Sequence, residues 1–325
     1  VSRRHLLQWT TAATAQAMAS TGLAGAALTH WSLPLVGLLL LAGLLAVGTP
    51  HPALATALCL LWAASPVWTW FVSRPGAARE QAALPPPVQA HLEGIARDTW
   101  RFFERCVTAG DNHLPPDNLQ VLPLEAVAHR TSPTNIGLYL LSVACARNFG
   151  WIDTPQLLAR LEATLATLLR LQRYRGHFLN WYDTQTCAPL PPLYVSTVDS
   201  GNLSGHLLAV AQACLALAAS TSQTDAAGAP DARRLQAIAQ ALEQLAWAPE
   251  FGFLYHPRRH LLHIGYRVQE DMPDANFYDL LASECRLTSL LAIAKGDVPV
   301  RHWAALGRPF FASGALAGLR SWSGS

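Results

Sequence analysis

The chain has 325 residues, 51% of them hydrophobic, and a formal charge of +2, which allows one large domain or two modest ones. A balance so near zero, with no basic run after the first few residues, argues against nucleic acid as a partner. A mean hydropathy of +0.20 is high for a soluble protein and points to contact with lipid. Of the 23 basic residues only Lys295 is lysine, a bias of composition and not a binding signal. Six cysteines, Cys59, Cys106, Cys145, Cys187, Cys214 and Cys285, are scattered without a CxxC pair. They read as buried free thiols in a reducing compartment, not as disulfides or a metal site. The chain opens on Val1 and stops at Ser325 within a motif-like stretch, and is expected to be an internal piece of something longer.

After a lead-in over residues 1–30, residues 31–48 and 53–71 form two stretches without a charged side chain. Each is about long enough to cross a ~30 Å hydrocarbon core. The four-residue connection Thr49-Pro-His-Pro52 makes them a helical hairpin, spanning 31–73 with its flanks. Trp31, Trp68 and Trp70 suit an aromatic belt, Pro34 a first turn and Pro66 a kink. Arg3 and Arg4 precede the hairpin, Arg74 and Arg79 follow it, and the turn has no arginine, so both flanks are expected in the cytoplasm. Residues 74–87, ending in three prolines, read as a linker to a globular part at 88–325.

That part begins with a helix carrying Trp100, Phe102 and Phe103, followed by a loop rich in Pro, Asn and Asp. Helices apolar nearly all round are predicted at 134–148, 199–219 and 276–295. Between them lie amphipathic helices at 154–174 and 231–248. Helices apolar on every side must be buried and those with one apolar stripe must lie outside them, so the alternation predicts two concentric layers. About six helices are legible, half of what an α/α toroid of six hairpins needs. Residues 252–255 with 261–266 read as a short hairpin of strands.

A polar cluster precedes each apolar helix: His129-Arg-Thr-Ser-Pro-Thr-Asn135, Ser196-Thr-Val-Asp-Ser-Gly-Asn202 and Met272-Pro-Asp-Ala-Asn-Phe-Tyr-Asp279. Thr131, Ser132, Asp199, Asp274 and Asn276 are competent helix caps. Capping does not account for all of the polarity. Asp199, Asn202 and His206 share a face of an otherwise apolar helix, and Asn276, Asp279 and Glu284 put acids on another. Such groups are costly unless they pair or line a wet cavity, and gathering at one end of a toroid favours the cavity. With Arg130, Asn135, Asn180, Trp181, Tyr182, Asp183 and Tyr278 the expected pocket combines hydrogen-bonding groups, aromatic platforms and acids, as a carbohydrate cleft requires. Two carboxylates flanking a glycosidic bond would complete glycosidase-type chemistry. His177, His206 and Asp183 have no metal-ligand spacing, and no phosphate loop, nucleophile elbow or dinucleotide fingerprint is present, so neither metal nor cofactor is expected.

Long motifs then place the chain beside a family. The stretch from Ser2 to Ala12, Asp98-Thr-Trp-Arg-Phe-Phe-Glu104, Leu114-Pro-Pro-Asp-Asn118, His129 to Tyr139, Gly176 to Asp183, Val198 to Asn202 and Tyr278 to Glu284 resemble, in order, the middle of cyclic β-1,2-glucan synthases. The resemblance implies a bacterial inner-membrane protein, with this chain holding a membrane hairpin and the first half of a glycoamylase-like (α/α)6 domain on the cytoplasmic side. It implies closure of linear β-1,2-glucan into rings by transglycosylation. The partners implied are the glucan, the bilayer and the remaining domains of one polypeptide. Asp117, Arg130, Asn135, Trp181, Asp183, Asp199, Asn202 and Tyr278 carry over as substrate-cleft candidates, and Asp279 and Glu284 as catalytic ones. The family's domain continues past the Ser321-Trp-Ser-Gly324 motif, and its acid/base and nucleophile glutamates are expected in that continuation.

Overall fold

Prolines open several of the described helices, and glycines cap the ends of two of them. The computed structural model describes residues 30–72, 84–224, 229–314 and 316–321, in two compact units divided after Val88. The expected lead-in, residue 30 apart, and the linker up to residue 83 lie outside the described residues.

In the first unit α1 (Ser32–Val47) ends on Gly48, which donates to the Leu45 carbonyl and whose φ of 77° turns the Thr49 N–H back to the Leu44 carbonyl. Pro52 opens α2 (Pro52–Ala63), and α3 (Ser65–Val72) follows across a 48° bend. The expected kink thus falls at the break before Pro66. α1 packs along α2, so the two apolar stretches do form a helical hairpin. Length and composition do not mark it as two spans. α1 is short for a span, and α2 and α3 are long enough only when taken together.

The second unit starts with α4 (Pro86–Cys106), which turns Trp100, Phe103 and Cys106 inward. Five helices follow: α5 (Pro133–Asn148), α6 (Thr154–Arg170), α7 (Thr197–Thr224), α8 (Ala229–Trp247) and α9 (Arg286–Lys295). A short α10 (Arg301–Ala305) comes after them. α7 lies between α5 and α9 and is covered by α8, while α6 covers α5 and touches α8. The inner row is therefore α5, α7 and α9, and α6 and α8 form an outer row, as the alternation of apolar and amphipathic sequence predicts. α8 buries Leu235, Ile238, Leu242 and Leu245, its one apolar stripe, whereas α7 buries residues around much of its circumference. α7 and α9 approach closely at Gly201, where a Cβ would lie 1.9 Å from Thr288 Oγ1. All six cysteines are free thiols; Cys145 is exposed and Cys187 half-buried, and the others are buried.

Short antiparallel strand pairs tie the loops together at the N-terminal ends of α5 and α7. Arg130–Thr131 pairs with Tyr182–Asp183. Tyr194–Ser196, just before α7, pairs with Gly265–Arg267, which in turn pairs with Met272–Pro273. The expected hairpin is present as Tyr255–His256 against Leu261–His263, and the latter strand also pairs with Phe277–Tyr278.

The third apolar helix departs from expectation. It begins at Arg286, not 276, because Phe277–Tyr278 is claimed by its strand partner and the Asp274 carboxylate accepts from the backbone N–H of Asn276 in a local turn. Asp279 and Glu284 consequently stand on the connection between that strand and α9, both exposed, and not on a buried helix.

Candidate carbohydrate-binding cleft

Ser132 ends the first polar cluster by capping α5: its hydroxyl accepts from the Asn135 N–H at 3.2 Å, with Pro133 as the first helical residue. Before α7 the cap role falls to Ser196, which accepts from the Asp199 N–H at 3.3 Å. The Asp199 carboxylate is therefore not spent on its own helix. Thr131, also expected as a cap, is buried with its hydroxyl unpaired.

Around these two starts the structure assembles two hydrogen-bonded groups that a cation–π contact joins into one network. Arg130 donates from Nε and Nη2 to Asp117 Oδ2, at 3.2 and 2.9 Å, and Asn135 donates to Asp117 Oδ1 at 3.4 Å. The Arg130 guanidinium also lies over the Trp181 ring, 4.9 Å from its centroid. With the Asn180 amide turned so that its oxygen accepts from the Trp181 indole N–H at 3.1 Å, its nitrogen donates to Asp199 Oδ2, also at 3.1 Å. Thr134 donates to Asp199 Oδ1 at 2.5 Å and receives the Asn202 amide at 3.3 Å. Six candidates, Asp117, Arg130, Asn135, Trp181, Asp199 and Asn202, are thus brought together through Asn180 and Thr134.

The third cluster joins from the strand side. Tyr194 donates to Asp274 Oδ2 across 3.4 Å, and Arg267 stands 4.0 Å from the same oxygen. Burial pushes the Tyr194 phenol up, and the neighbouring Asp274 and Asp199 carboxylates add to it. Tyr278 is raised by burial, and the nearby Glu284 and Asp199 carboxylates add to it. Both phenols therefore remain protonated hydrogen-bond donors at neutral pH, beside acceptors.

Three candidates stand apart. Asp183 Oδ1 is occupied by its own turn, accepting from the N–H groups of Gln185 and Thr186 and from the Thr186 hydroxyl. The Thr186 N–H is the main cause holding this carboxyl below its ordinary range. Asp279 touches its surroundings through its carbonyl, which accepts from the Gly307 N–H at 2.7 Å. Glu284 is felt by Tyr278 only as a charge.

Sequence reasoning did not single out Asp111, Thr134 or Tyr194. Asp111 is buried, and although burial works against its charge, hydrogen bonds from Thr184, His129 and Thr108 hold its carboxyl below the usual range. It pins the loop before Asp117 to the strand that carries Arg130. His177 bridges the Ser200 hydroxyl and the Glu250 carbonyl, each at 2.8 Å, and His206 packs against Gly137 on α5. Among the described residues no group of three or more His, Cys, Asp or Glu is placed to hold a metal ion.

The network is rich in amides, hydroxyls, carboxylates and one indole platform, a set suited to the hydroxyls and faces of sugar rings. No family model matches the chain. The chain is 36% identical over its whole length to the cyclic β-(1,2)-glucan synthase NdvB of Rhizobium meliloti (strain 1021), and it spans 15% of that protein. A putative glucoamylase from Bacteroides fragilis matches 77% of the chain and 58% of its own length with a TM-score of 0.55 at 16% identity. An endo-β-1,2-glucanase from Chitinophaga pinensis matches 71% and 55% with a TM-score of 0.54, also at 16% identity. At such identity these solved structures speak for the fold. The chain is thus homologous along its entire length to one segment of a cyclic β-1,2-glucan synthase, and its globular unit has the glucoamylase-like helical fold.

Proposed function

We propose that the second unit is the first half of an (α/α)6 transglycosylase domain whose cleft holds linear β-1,2-glucan while it is closed into a ring. The observation that carries this reading is the continuous network from Asn135 through Asp117, Arg130, Trp181, Asn180, Asp199 and Thr134 to Asn202. Helix capping leaves it unexplained, because Ser132 and Ser196 do the capping. In ring closure an internal glycosidic bond is broken, the saccharide beyond it leaves with a proton from the general acid, and the chain's own distant hydroxyl takes the glycosyl group and gives its proton back to that residue, so no water is consumed. Retaining chemistry of that kind uses two carboxyl groups about 5–5.5 Å apart. Asp279 and Glu284 are the candidates within this chain, Asp183 and Tyr278 stay as cleft candidates beside the network, and neither cofactor nor metal is needed.

The same reading makes α1 and the α2–α3 pair a membrane hairpin over 31–73, with a lead-in at 1–30 and a linker at 74–87. Its support is the exposed leucines and the absence of charge between residues 31 and 72. Both flanks would be cytoplasmic at a bacterial inner membrane. The other domains of the polypeptide would complete the toroid over Leu138, Leu287 and Leu290, inner-row side chains that are 43%, 40% and 51% exposed. The similarity to a synthase of which this chain spans 15% supports that larger assembly.

A glucan-binding module without chemistry is the second reading, favoured by the exposed position of Asp279 and Glu284. Trp181→Ala tests what both readings share: it should weaken binding of linear β-1,2-glucan by about 1–3 kcal/mol, the value of burying a large side chain, with the melting temperature unchanged. Unaltered affinity would remove the cleft. Asp279→Asn and Glu284→Gln in the full-length protein separate the two readings, since ring formation at the unsubstituted rate in both variants would leave neither acid a catalytic role.

A further inference from the structure

We infer that Tyr194 is a substrate-contacting residue of this cleft and that Gly265 is the residue that positions it. The inference rests on the glucan reading above. Tyr194 lies in the proline-rich loop leading to α7, and three constraints fix it. Its carbonyl accepts from the Asn180 N–H at 2.8 Å, so its backbone is bonded to the residue whose side chain joins Trp181 to Asp199. Its strand pairs with Gly265–Arg267. Its ring crosses that partner strand at Gly265, where a Cβ would lie 2.2 Å from both Cζ and the hydroxyl oxygen. No side chain larger than hydrogen fits there without moving the ring.

The placement has a chemical consequence. The hydroxyl sits between the second and third polar clusters, and its one proton is engaged by Asp274 across a long 3.4 Å. A sugar hydroxyl entering between the clusters can take that proton at a shorter distance, while the phenol oxygen accepts in return. The phenol therefore extends the row of donors from Asn202, Thr134 and Asn180 toward Asp274 and Tyr278, in line with a chain threaded along the cleft.

Binding of linear β-1,2-gluco-oligosaccharide, measured by calorimetry, tests this with Tyr194→Phe, Tyr194→Ala, Gly265→Ala and the double variant, each checked for an unchanged circular dichroism spectrum. Tyr194→Phe, which removes one hydroxyl, should raise Kd about three- to tenfold. Gly265→Ala should weaken binding at least as much, although a methyl there adds no group that meets sugar. In the Tyr194→Ala background Gly265→Ala should change nothing further, because the ring it displaces is gone. Normal affinity in Tyr194→Phe, or an effect of Gly265→Ala that persists without the ring, overturns the inference. Trp181→Ala separates the failures: if it weakens binding and Tyr194→Phe does not, the cleft stands and this inference falls. If the unsubstituted chain binds no glucan, both fall.

Discussion

α7 and the α1–α2 pair are close in composition and opposite in circumstance. Residues Thr197–Ser220 of α7 are apolar and long enough to cross a membrane, yet this helix is the centre of the globular core, with Leu203, Leu207 and Val210 almost wholly buried. α1 and α2 carry the same leucines and alanines, but Leu39 is 64% and Leu61 72% exposed. What separates them is the company each keeps. α7 has α5, α9 and the stripe of α8 to cover it, and polar groups at its first turn that are hydrogen-bonded by protein. The hairpin has one partner helix on each side of its seam and no charged side chain. Apolarity alone thus measures how much surface must be hidden, and the neighbouring amphipathic helices decide whether protein hides it.

The largest test of that contrast is the same charge placed in both regions. Leu207→Asp sets a carboxylate among buried side chains with no partner and should cost about 3–5 kcal/mol, enough to unfold the globular unit in a urea titration followed by circular dichroism. Leu39→Asp should leave that titration unchanged. Its expected effect is on membrane association, where a charge at the middle of a span costs about 2.5–3.5 kcal/mol, read as protein released from membranes by alkaline washing. A stable Leu207→Asp variant, or a Leu39→Asp variant that unfolds, would erase the distinction.

The starts of α5 and α7 were legible because the change from polar to apolar sequence, with Pro133 or a serine cap at the boundary, is a local signal. The start of α9 was not. Asn276, Asp279 and Glu284 have helical spacing, but Phe277 and Tyr278 are held by His263 and Leu262, and pairing with a strand some fifteen residues back overrode the local pattern. The same reason hid part of the candidate site. Trp181, Arg130 and Asp199 stood out as polar or aromatic residues in conspicuous clusters, and the network joins them. Tyr194 sits in a Leu-Pro-Pro-Leu-Tyr run that reads only as a loop, and its place follows from Gly265, seventy-one positions later. Asp183 shows the opposite case, an acid in a tight turn whose Oδ1 serves its own backbone.

A smaller effect probes the polar end of α7. His177, fully buried beneath the first turn, is held neutral by burial, which pushes its pKa down to about 4; the Glu250 carbonyl partly offsets this. An unfolded chain would titrate this group near 6.5. Between these values the unfolded state binds the extra proton, so stability is full above pH 6.5 and declines as the pH falls toward 4, by up to about 3 kcal/mol from this group. Urea midpoints measured from pH 7.5 to 4 should slope accordingly. His177→Gln, less stable throughout, should flatten the slope; an equal slope in that variant would assign the loss to other groups.

The smallest effect expected concerns how the outer row stays on α7. Arg234 of α8 grips Glu162 of α6 with two hydrogen bonds, 2.8 Å from Nε and 2.7 Å from Nη2. That bond from Arg234 is the main cause holding the Glu162 carboxyl below its ordinary range, against a small opposing effect of burial. The pair is bidentate and joins two covering helices, which makes it look like a clasp. Both side chains are more than 40% exposed, however, and water screens most of what the charges gain. Glu162→Gln should therefore shift the urea midpoint by less than about a fifth of the shift expected from Leu207→Asp, and added salt should abolish even that difference. A loss comparable to Leu207→Asp would mean that the cover over α7 is clasped by charge. The small one expected would mean that α8 is held by the stripe of Leu235, Ile238, Leu242 and Leu245, the same burial that covers α7.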